Sequence, residues 1–260
     1  MKTCFTLCWI VLLAAPVIAD RQTLPKVERF DVNGQIAVVY EATMPAKGKP
    51  WVWYAPTLKG GISLYGRTYY RDAFFAAGLS IAGYDLGEVR GSPESTAKFH
   101  KFYEVMVERG YSAKPILLGQ SRGGMMLLSW AVDHPQNVGA FVGIYPVLNL
   151  SSWPLQRSEA ATLADFKLTR DEFVSRLDEL NPINRLSGMI EHKVPVFIVH
   201  GDSDLSVPYN ENSALLKERY EKESGRIEVK LIPGEGHKAT PAFFECSELV
   251  NFVLSVISPD

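Results

Sequence analysis

Short apolar segments and longer segments with a helical period alternate through most of the chain. The short segments, rich in β-branched and aromatic residues, predict strands at residues 27–32, 35–42, 51–55, 79–85, 115–119, 138–145, 195–200 and 226–232. Between them, apolar positions on one helical face predict helices at residues 69–77, 92–110, 122–133, 169–180, 210–222 and 241–257. Strands that alternate with helices form a mainly parallel sheet with helices on both faces, so the pattern predicts an α/β fold with eight strands.

Two details refine this architecture. Asn33-Gly34 separates the first two strands, and this dipeptide favours a tight hairpin turn, so these strands are expected to be antiparallel. Residues 148–167 show neither the pattern of a strand nor the period of a helix and are predicted to be irregular. Residues 148–190 are therefore the place where we expect a small cap over the sheet.

The N-terminus differs from the rest of the chain. Lys2 precedes an apolar stretch at residues 4–13, and small residues lead up to Ala19, which together predict a secretory signal peptide at residues 1–19. A membrane anchor is the alternative, but the apolar stretch is shorter than the roughly 20 residues of a membrane span. We therefore expect a secreted or periplasmic domain at residues 20–260, without stable membrane insertion after cleavage.

Composition and charge exclude several classes of protein. The net charge of −2 provides no electrostatic reason to expect a nucleic-acid partner. Beyond the predicted signal peptide there is no pair of cysteines, and the chain contains no His-Glu-x-x-His and no phosphate-binding glycine motif after a strand. We therefore expect neither a metal nor a cofactor. Cys246 is the one cysteine beyond the predicted signal peptide, and its apolar surroundings predict a buried thiol.

Ser121 stands in Gly119-Gln120-Ser121-Arg122-Gly123, which matches the nucleophile-elbow pattern Gly-x-Ser-x-Gly. In that pattern the serine occupies a strained turn between a strand and a helix, where side chains two residues before and after it would collide. A predicted strand precedes Ser121 and a predicted helix follows it. The alternative is a glycine-rich turn with an incidental serine, but this context favours a nucleophile.

A serine hydroxyl needs a neighbouring base, and His237 is the best candidate among the five histidines. His237 follows the last predicted strand in a glycine-rich loop, at the sheet edge where open α/β proteins bind ligands. His100 and His134 belong to helical segments and His192 to a polar turn. His200 ends an apolar strand and is interpreted as structural.

The acid is expected after the strand at residues 195–200. His200-Gly201-Asp202-Ser203-Asp204 offers two carboxylates. Asp204 is favoured because it lies further out on the loop, whereas Asp202 is the better turn-former. An acid at this point would orient the histidine and stabilise its protonated form.

The oxyanion hole needs two backbone donors. One is the N–H of Arg122, the residue after the nucleophile. The other is expected from the loop after residues 51–55, where Pro56 has no N–H, so that Thr57 is favoured and Leu58 is the alternative.

Two large side chains leave alternatives open. Arg122 can form an internal ion pair with Asp85 or Glu88, or it can bind an anionic group of a substrate. Trp153 lies in the segment predicted to be irregular, where it either lines a substrate pocket or packs in the core.

These motifs together resemble the α/β-hydrolase superfamily. The resemblance rests on three motifs: the elbow, the His-Gly-Asp-x-Asp-x-x-Val-Pro loop at residues 200–208 and the Gly-x-Gly-His loop at residues 234–237. The similarity is greatest to a compact branch that contains dienelactone-hydrolase-like esterases and the catalytic domain of prolyl-oligopeptidase-type peptidases. The resemblance implies a triad of Ser121, Asp204 and His237. Ala55-Pro56 departs from the His-Gly of many relatives.

The sequence thus predicts a serine hydrolase that forms an acyl-enzyme on Ser121. The favoured substrates are carboxylic esters with short acyl or acetyl groups, including esters of carbohydrates. The alternative is a prolyl-oligopeptidase-type serine peptidase acting on short peptides. A binding protein that retains the fold without catalysis is the third hypothesis. The oligomeric state stays open.

Overall fold

The structure is a computed structural model that describes residues 25–56 and 68–257. Within these residues eight strands form one sheet. The strands are β1 (Lys26–Val32), β2 (Gln35–Glu41), β3 (Trp51–Ala55), β4 (Ser80–Tyr84), β5 (Ile116–Gln120), β6 (Ala140–Ile144), β7 (Val196–Gly201) and β8 (Ile227–Ile232).

The same residues form eleven α-helices. The helices are α1 (Thr68–Ala76), α2 (Pro93–Glu108), α3 (Arg122–Asp133), α4 (Trp153–Arg157), α5 (Glu159–Phe166), α6 (Arg170–Ser175), α7 (Leu177–Leu180), α8 (Ser187–Glu191), α9 (Ser213–Lys222), α10 (Pro241–Phe244) and α11 (Ser247–Ile257). Three short 3-10 helices at Pro135–Asn137, Pro182–Asn184 and Tyr209–Glu211 join some of them.

The strand order is β1-β2-β4-β3-β5-β6-β7-β8. β1 and β2 pair antiparallel through a turn at Asn33 and Gly34, both of which have positive φ, as the dipeptide predicts. β2 also runs antiparallel to β4, and every pair from β4 to β8 is parallel. The predicted α/β fold with a mostly parallel eight-stranded sheet is confirmed. Its parallel strands bring the loops after β5, β7 and β8 to the same sheet edge.

Helices cover both faces of the sheet. On one face, Trp53 of β3 is fully buried, with its ring centroid 4.9 Å from that of Trp130 in α3 and 5.0 Å from that of Phe102 in α2. The opposite face packs against α1, α10 and α11. Its buried side chains include Tyr70, Phe74, Phe243, Leu249 and Phe252. Two apolar cores therefore hold the central strands from either side.

Residues 153–180, within the segment where we expect a small cap, form four short helices, α4 to α7, which we refer to as the cap. The prediction of irregular structure at residues 148–167 was wrong, because α4 and α5 lie there. These helices have only five and eight residues, too short to show a helical period in the sequence. A third apolar cluster, separate from the two sheet cores, lies beneath the cap. Its buried members are Met125, Val147, Leu150, Phe173, Leu180 and Val207.

Two predicted helices are each divided in two. The helix predicted at 169–180 opens with a capping box at Thr169 and Glu172 but is interrupted at Arg176, where the backbone leaves the helical region. The helix predicted at 241–257 is interrupted at Glu245. Beyond that break, the N–H of Cys246 donates to the Tyr70 hydroxyl at 3.3 Å instead of to a helical carbonyl. Both Phe243 and Phe244 are thereby buried.

The predicted signal peptide at residues 1–19 lies outside the described residues. In the described part of the chain, no helix combines the length and the hydropathy needed to cross a bilayer. Cys246 is buried with a free thiol, in agreement with its apolar surroundings in the sequence.

The cap cluster predicts unequal effects for two neighbouring residues of α6. Phe173 is fully buried, whereas the side chain of Val174 is 43% exposed. Phe173→Ala is expected to lower the free energy of unfolding by about 3–5 kcal/mol through loss of burial and creation of a cavity. Val174→Ala, the matched control, is expected to change it by less than about 0.5 kcal/mol. Equal values from urea titrations of the two variants would contradict a packed cap.

Candidate active site

Ser121 occupies the turn between β5 and α3. Its backbone angles, φ 53° and ψ −125°, lie in a region that residues with a side chain rarely adopt. The turn is tight because the helix starts against β3: a Cβ added at Gly123 would lie 1.6 Å from the carbonyl oxygen of Ala55. A Cβ at Gly119 would lie 2.6 Å from the Cα of Gly124. Glycine is therefore required at both flanking positions of the elbow, for the steric reason that the sequence pattern suggests.

His237 lies in the loop between β8 and α10, which we call the histidine loop (residues 233–240). Its Nε2 is 2.9 Å from the Oγ of Ser121, within hydrogen-bonding distance. The side chain of His237 is 22% exposed, so one face of the imidazole remains open at the sheet edge. The ring of Tyr145 packs against the imidazole, with centroids 4.5 Å apart. The structure thus places the predicted base against the predicted nucleophile.

Asp204 lies in the loop after β7, which we call the acid loop (residues 202–208). Its Oδ2 is 2.7 Å from Nδ1 of His237, and its side chain is fully buried. The backbone N–H groups of Ser206 and Val207 donate to Oδ1 at 2.9 and 2.8 Å. Both carboxylate oxygens are therefore held in place.

The environment of Asp204 favours its ionised form. Burial by itself would raise the pKa of this carboxyl. Hydrogen bonds from His200, from His237 and from the Val207 N–H outweigh burial and hold the pKa of Asp204 well below its usual range. A carboxylate in this state can orient an imidazole and stabilise its protonated form.

Asp202, the alternative acid, has a different position. Its Oδ1 accepts hydrogen bonds from the Gly234 N–H at 2.8 Å and from the Ser203 hydroxyl at 2.8 Å. The Ser203 N–H in turn donates to the carbonyl of Glu235 at 3.0 Å. Asp202 therefore ties the acid loop to the histidine loop, while Asp204 contacts the base.

The other histidines lie away from Ser121. His100 and His134 stack on each other with ring centroids 4.0 Å apart, next to Trp130. His192 is exposed beyond the end of α8. His200 is fully buried at the end of β7, in keeping with a structural interpretation, although its Nε2 lies only 3.4 Å from Asp204.

The oxyanion hole is described only in part. Arg122 is the first residue of α3, where a helix leaves its backbone N–H without an intrahelical acceptor and carries a partial positive charge. This N–H can therefore donate to an oxyanion formed beside Ser121. Thr57 and Leu58, the two candidates for the second donor, lie outside the described residues.

The side chain of Arg122 forms an ion pair with Glu88, one of the two partners that the sequence suggested. Its guanidinium also lies over the ring of Trp153, 5.2 Å from the centroid. Trp153, the first residue of α4, is partly buried and packs against the apolar cluster beneath the cap. Trp153 therefore packs against the apolar cluster on one side and contacts the Arg122 side chain, next to Ser121, on the other.

The structure adds a supporting network that the sequence reading missed. Tyr54 donates to Oε1 of Gln120 at 2.5 Å, and Nε2 of Gln120 donates to the hydroxyl of Tyr145 at 3.0 Å. Gln120 directly precedes Ser121, and the ring of Tyr145 contacts His237. Tyr145 also has a positive φ of 36°, a strained value for a residue of this size. In the sequence, the one indication that Tyr145 lies at the site was its position at the carboxyl end of a predicted strand.

Across residues 25–56 and 68–257, no group of three or more His, Cys, Asp or Glu side chains is placed to hold a metal ion. What the described residues bring together is a nucleophilic hydroxyl, an imidazole and a buried carboxylate. On this fold, that set defines the class of the protein as a serine hydrolase.

Comparison with known sequences specifies the family. The sequence model of the prolyl oligopeptidase family matches residues 91–255, more than half of the chain. The chain therefore belongs to the prolyl oligopeptidase family. No curated protein matches the chain in a direct sequence comparison.

Solved structures share the fold. A puromycin-hydrolyzing peptidase of Mycobacterium tuberculosis superposes with a TM-score of 0.65 at 17% identity, over 92% of this chain and 39% of that one. Est1E from Butyrivibrio proteoclasticus gives a TM-score of 0.62 at 15% identity, over 89% and 98% of the two chains. A truncated carbohydrate esterase from gut microbiota gives 0.65 at 14% identity, over 91% and 97%. The α/β-hydrolase fold is thus common to all three, and the chain spans about two fifths of the peptidase.

The two aspartates of the acid loop provide a matched kinetic test. Asp204→Asn removes the charge that stabilises the protonated imidazole and is expected to lower kcat on the order of 10⁴-fold. Asp202→Asn retains an oxygen for the Gly234 N–H and is expected to keep kcat within about tenfold of wild type. Steady-state kinetics on one ester substrate measure both. A larger loss in Asp202→Asn than in Asp204→Asn would reverse the assignment of the acid.

The lowered pKa of Asp204 also predicts how stability depends on pH. A carboxyl whose pKa is lower in the folded chain than in the unfolded chain stabilises the fold above its unfolded value, here near 3.8. That contribution is lost as the pH falls towards the folded pKa. The difference in unfolding free energy between wild type and Asp204→Asn is therefore expected to shrink from about pH 5 to about pH 3. Urea titrations at both pH values check this, and a difference that grows on acidification would contradict it.

Proposed function

We propose that this serine hydrolase cleaves carboxylic esters through an acyl-enzyme on Ser121. The observation that carries the proposal is the continuous hydrogen-bonded chain from the Ser121 hydroxyl through His237 to the buried Asp204. A serine hydroxyl in water is a weak nucleophile, and this arrangement supplies the base that activates it.

In the proposed reaction, Nε2 of His237 accepts the proton of Ser121 as Oγ attacks the ester carbonyl carbon. Asp204 accepts the hydrogen bond from Nδ1–H and stabilises the imidazolium. The Arg122 N–H donates to the resulting oxyanion. The intermediate collapses, the bond to the alcohol oxygen breaks, and His237 donates its proton to the departing alcohol. Water, deprotonated by the same imidazole, then attacks the acyl carbonyl carbon. The bond to Oγ breaks, His237 returns the proton to Ser121, and the carboxylic acid leaves.

Two observations support ester substrates with small acyl groups. The truncated carbohydrate esterase, which the chain spans almost completely, is an esterase by name. The imidazole of His237 is partly exposed beside a cap made of short helices, an arrangement that suits short acyl groups or acetyl groups on a larger carbohydrate. Glycan esters are thus part of the proposal.

Hydrolysis of short peptides is the second candidate function. It is favoured by membership of the prolyl oligopeptidase family and by the likeness to the puromycin-hydrolyzing peptidase. The same triad can cleave an amide, because His237 can protonate the departing amine as it would an alkoxide. We further propose that residues 1–19 direct the enzyme to the periplasm or the cell exterior, where exposed esters of larger molecules are accessible.

Replacement of the nucleophile tests the catalytic assignment. Ser121→Ala is expected to lower kcat for p-nitrophenyl acetate on the order of 10⁶-fold and to abolish labelling by a fluorophosphonate probe. Ser255→Ala, an exposed serine of α11, is the matched control and is expected to behave as wild type. Turnover and labelling that persist in Ser121→Ala would exclude an acyl-enzyme at this residue.

A substrate panel distinguishes the two candidate functions. Short acyl esters and acetylated sugars are expected to react with a larger kcat/KM than dipeptide anilides, with Ser121→Ala as the blank. The physical reason is the open site, which provides few contacts for an extended peptide. A kcat/KM for dipeptide anilides above that for every ester would establish the peptidase instead.

A further inference from the structure

His200 is a second buried imidazole next to the triad acid. It lies at the end of β7, its side chain is fully buried, and its Nε2 is 2.9 Å from the carbonyl oxygen of Val207. Because a carbonyl oxygen only accepts hydrogen bonds, Nε2 of His200 carries a proton. The same nitrogen lies 3.4 Å from Oδ2 of Asp204. This N–H therefore donates to the Val207 carbonyl and lies beside Oδ2 of Asp204.

Oδ2 of Asp204 thus lies between two histidines. His237 Nδ1 contacts it at 2.7 Å from the side of the nucleophile, and His200 Nε2 lies at 3.4 Å from the side of β7. The other carboxylate oxygen is occupied by two backbone N–H groups. The orientation of Asp204 depends on all four donors, and His200 is the one side chain among them that does not contact Ser121.

The far side of the His200 ring is anchored to a different element. Its Nδ1 is 2.7 Å from the hydroxyl of Ser213, the first residue of α9. The ring of Tyr209 packs edge-on against it, with centroids 5.7 Å apart. The polar groups that face His200 are therefore Asp204, Ser213 and Tyr209, together with the Val207 carbonyl. The imidazole bridges α9 and the acid loop across the end of β7.

We infer that His200 is a positioning residue for the triad acid: it holds the turn at residues 204–207 closed and shares Oδ2 of Asp204 with His237. This inference rests on the proposed function. The N–H of His200 partly neutralises the negative charge on Oδ2, so this oxygen attracts the proton of His237 less strongly. Without it, the carboxylate would lose one anchor and attract the proton of the catalytic imidazole more strongly.

Substitutions at His200 separate positioning from packing. His200→Phe keeps a ring of similar size but has no donor, and it is expected to lower kcat by about 100-fold with a much smaller change in KM. Its pH–rate profile is expected to have an ascending limb at higher pH. His200→Gln retains an N–H donor near the position of Nε2 and is expected to restore most of kcat and the original limb. His192→Gln, the same change at an exposed histidine, is the control.

Nuclear magnetic resonance of the histidine rings provides a test that needs neither turnover nor a substituted His200. Asp204→Asn is expected to shift the Nε2 and Hε2 resonances of His200 and to leave those of His192 unchanged. If the wild type hydrolyses neither esters nor peptides, the proposed function is wrong. The His200 resonances in Asp204→Asn still test whether His200 interacts with Asp204.

Two results would overturn it. One is an unchanged His200 resonance in Asp204→Asn. The other is His200→Phe and His200→Gln with wild-type kcat and pH profile and only a lower melting temperature, which would leave His200 a packing residue.

Discussion

The site depends on one steric constraint, the contact between the start of α3 and the carbonyl end of β3. Gly123 lies so close to the Ala55 carbonyl that no Cβ fits between them, and the backbone of Ser121 is strained in the same turn. The strain places Oγ at the sheet edge and directs the first N–H of α3 to the same side. Nucleophile and oxyanion donor are thus consequences of one packing contact, which is why a larger residue at Gly123 would disturb both.

Parallel pairing supplies the partners. β5, β7 and β8 end at one edge of the sheet, and the loops after them carry Ser121, Asp204 and His237. The loops are tied to one another by hydrogen bonds between residues 202–203 and 234–235, so that the acid and the base approach in a defined register. The three side chains therefore meet at the edge of the sheet where the parallel strands end. The cap contributes Trp153, whose ring lies against the Arg122 guanidinium.

Local patterns predicted the parts of the molecule that local forces determine. The strands and the hairpin at Asn33-Gly34 depend on neighbouring residues, and the sequence was sufficient for them. The elbow glycines were recognised from their spacing around Ser121, although the reason for Gly123 is a contact with the distant Ala55. The position of His200 against Asp204 depends on how the acid loop folds back over β7, and no periodicity reports that contact. Helices α4 and α5 were missed because they have only five and eight residues, and no local pattern reported the breaks at Arg176 and Glu245.

The separation of the catalytic residues along the chain has a consequence for the nascent protein. Ser121 and His237 are 116 positions apart, and the strand that carries the histidine loop is the last one of the sheet. An elbow formed before β8 has joined the sheet would hold a serine hydroxyl without its neighbouring imidazole. Such a hydroxyl is as weak a nucleophile as that of an ordinary serine. The hydrogen-bonded set of Ser121, His237 and Asp204 is thus complete only once β8 is paired with β7.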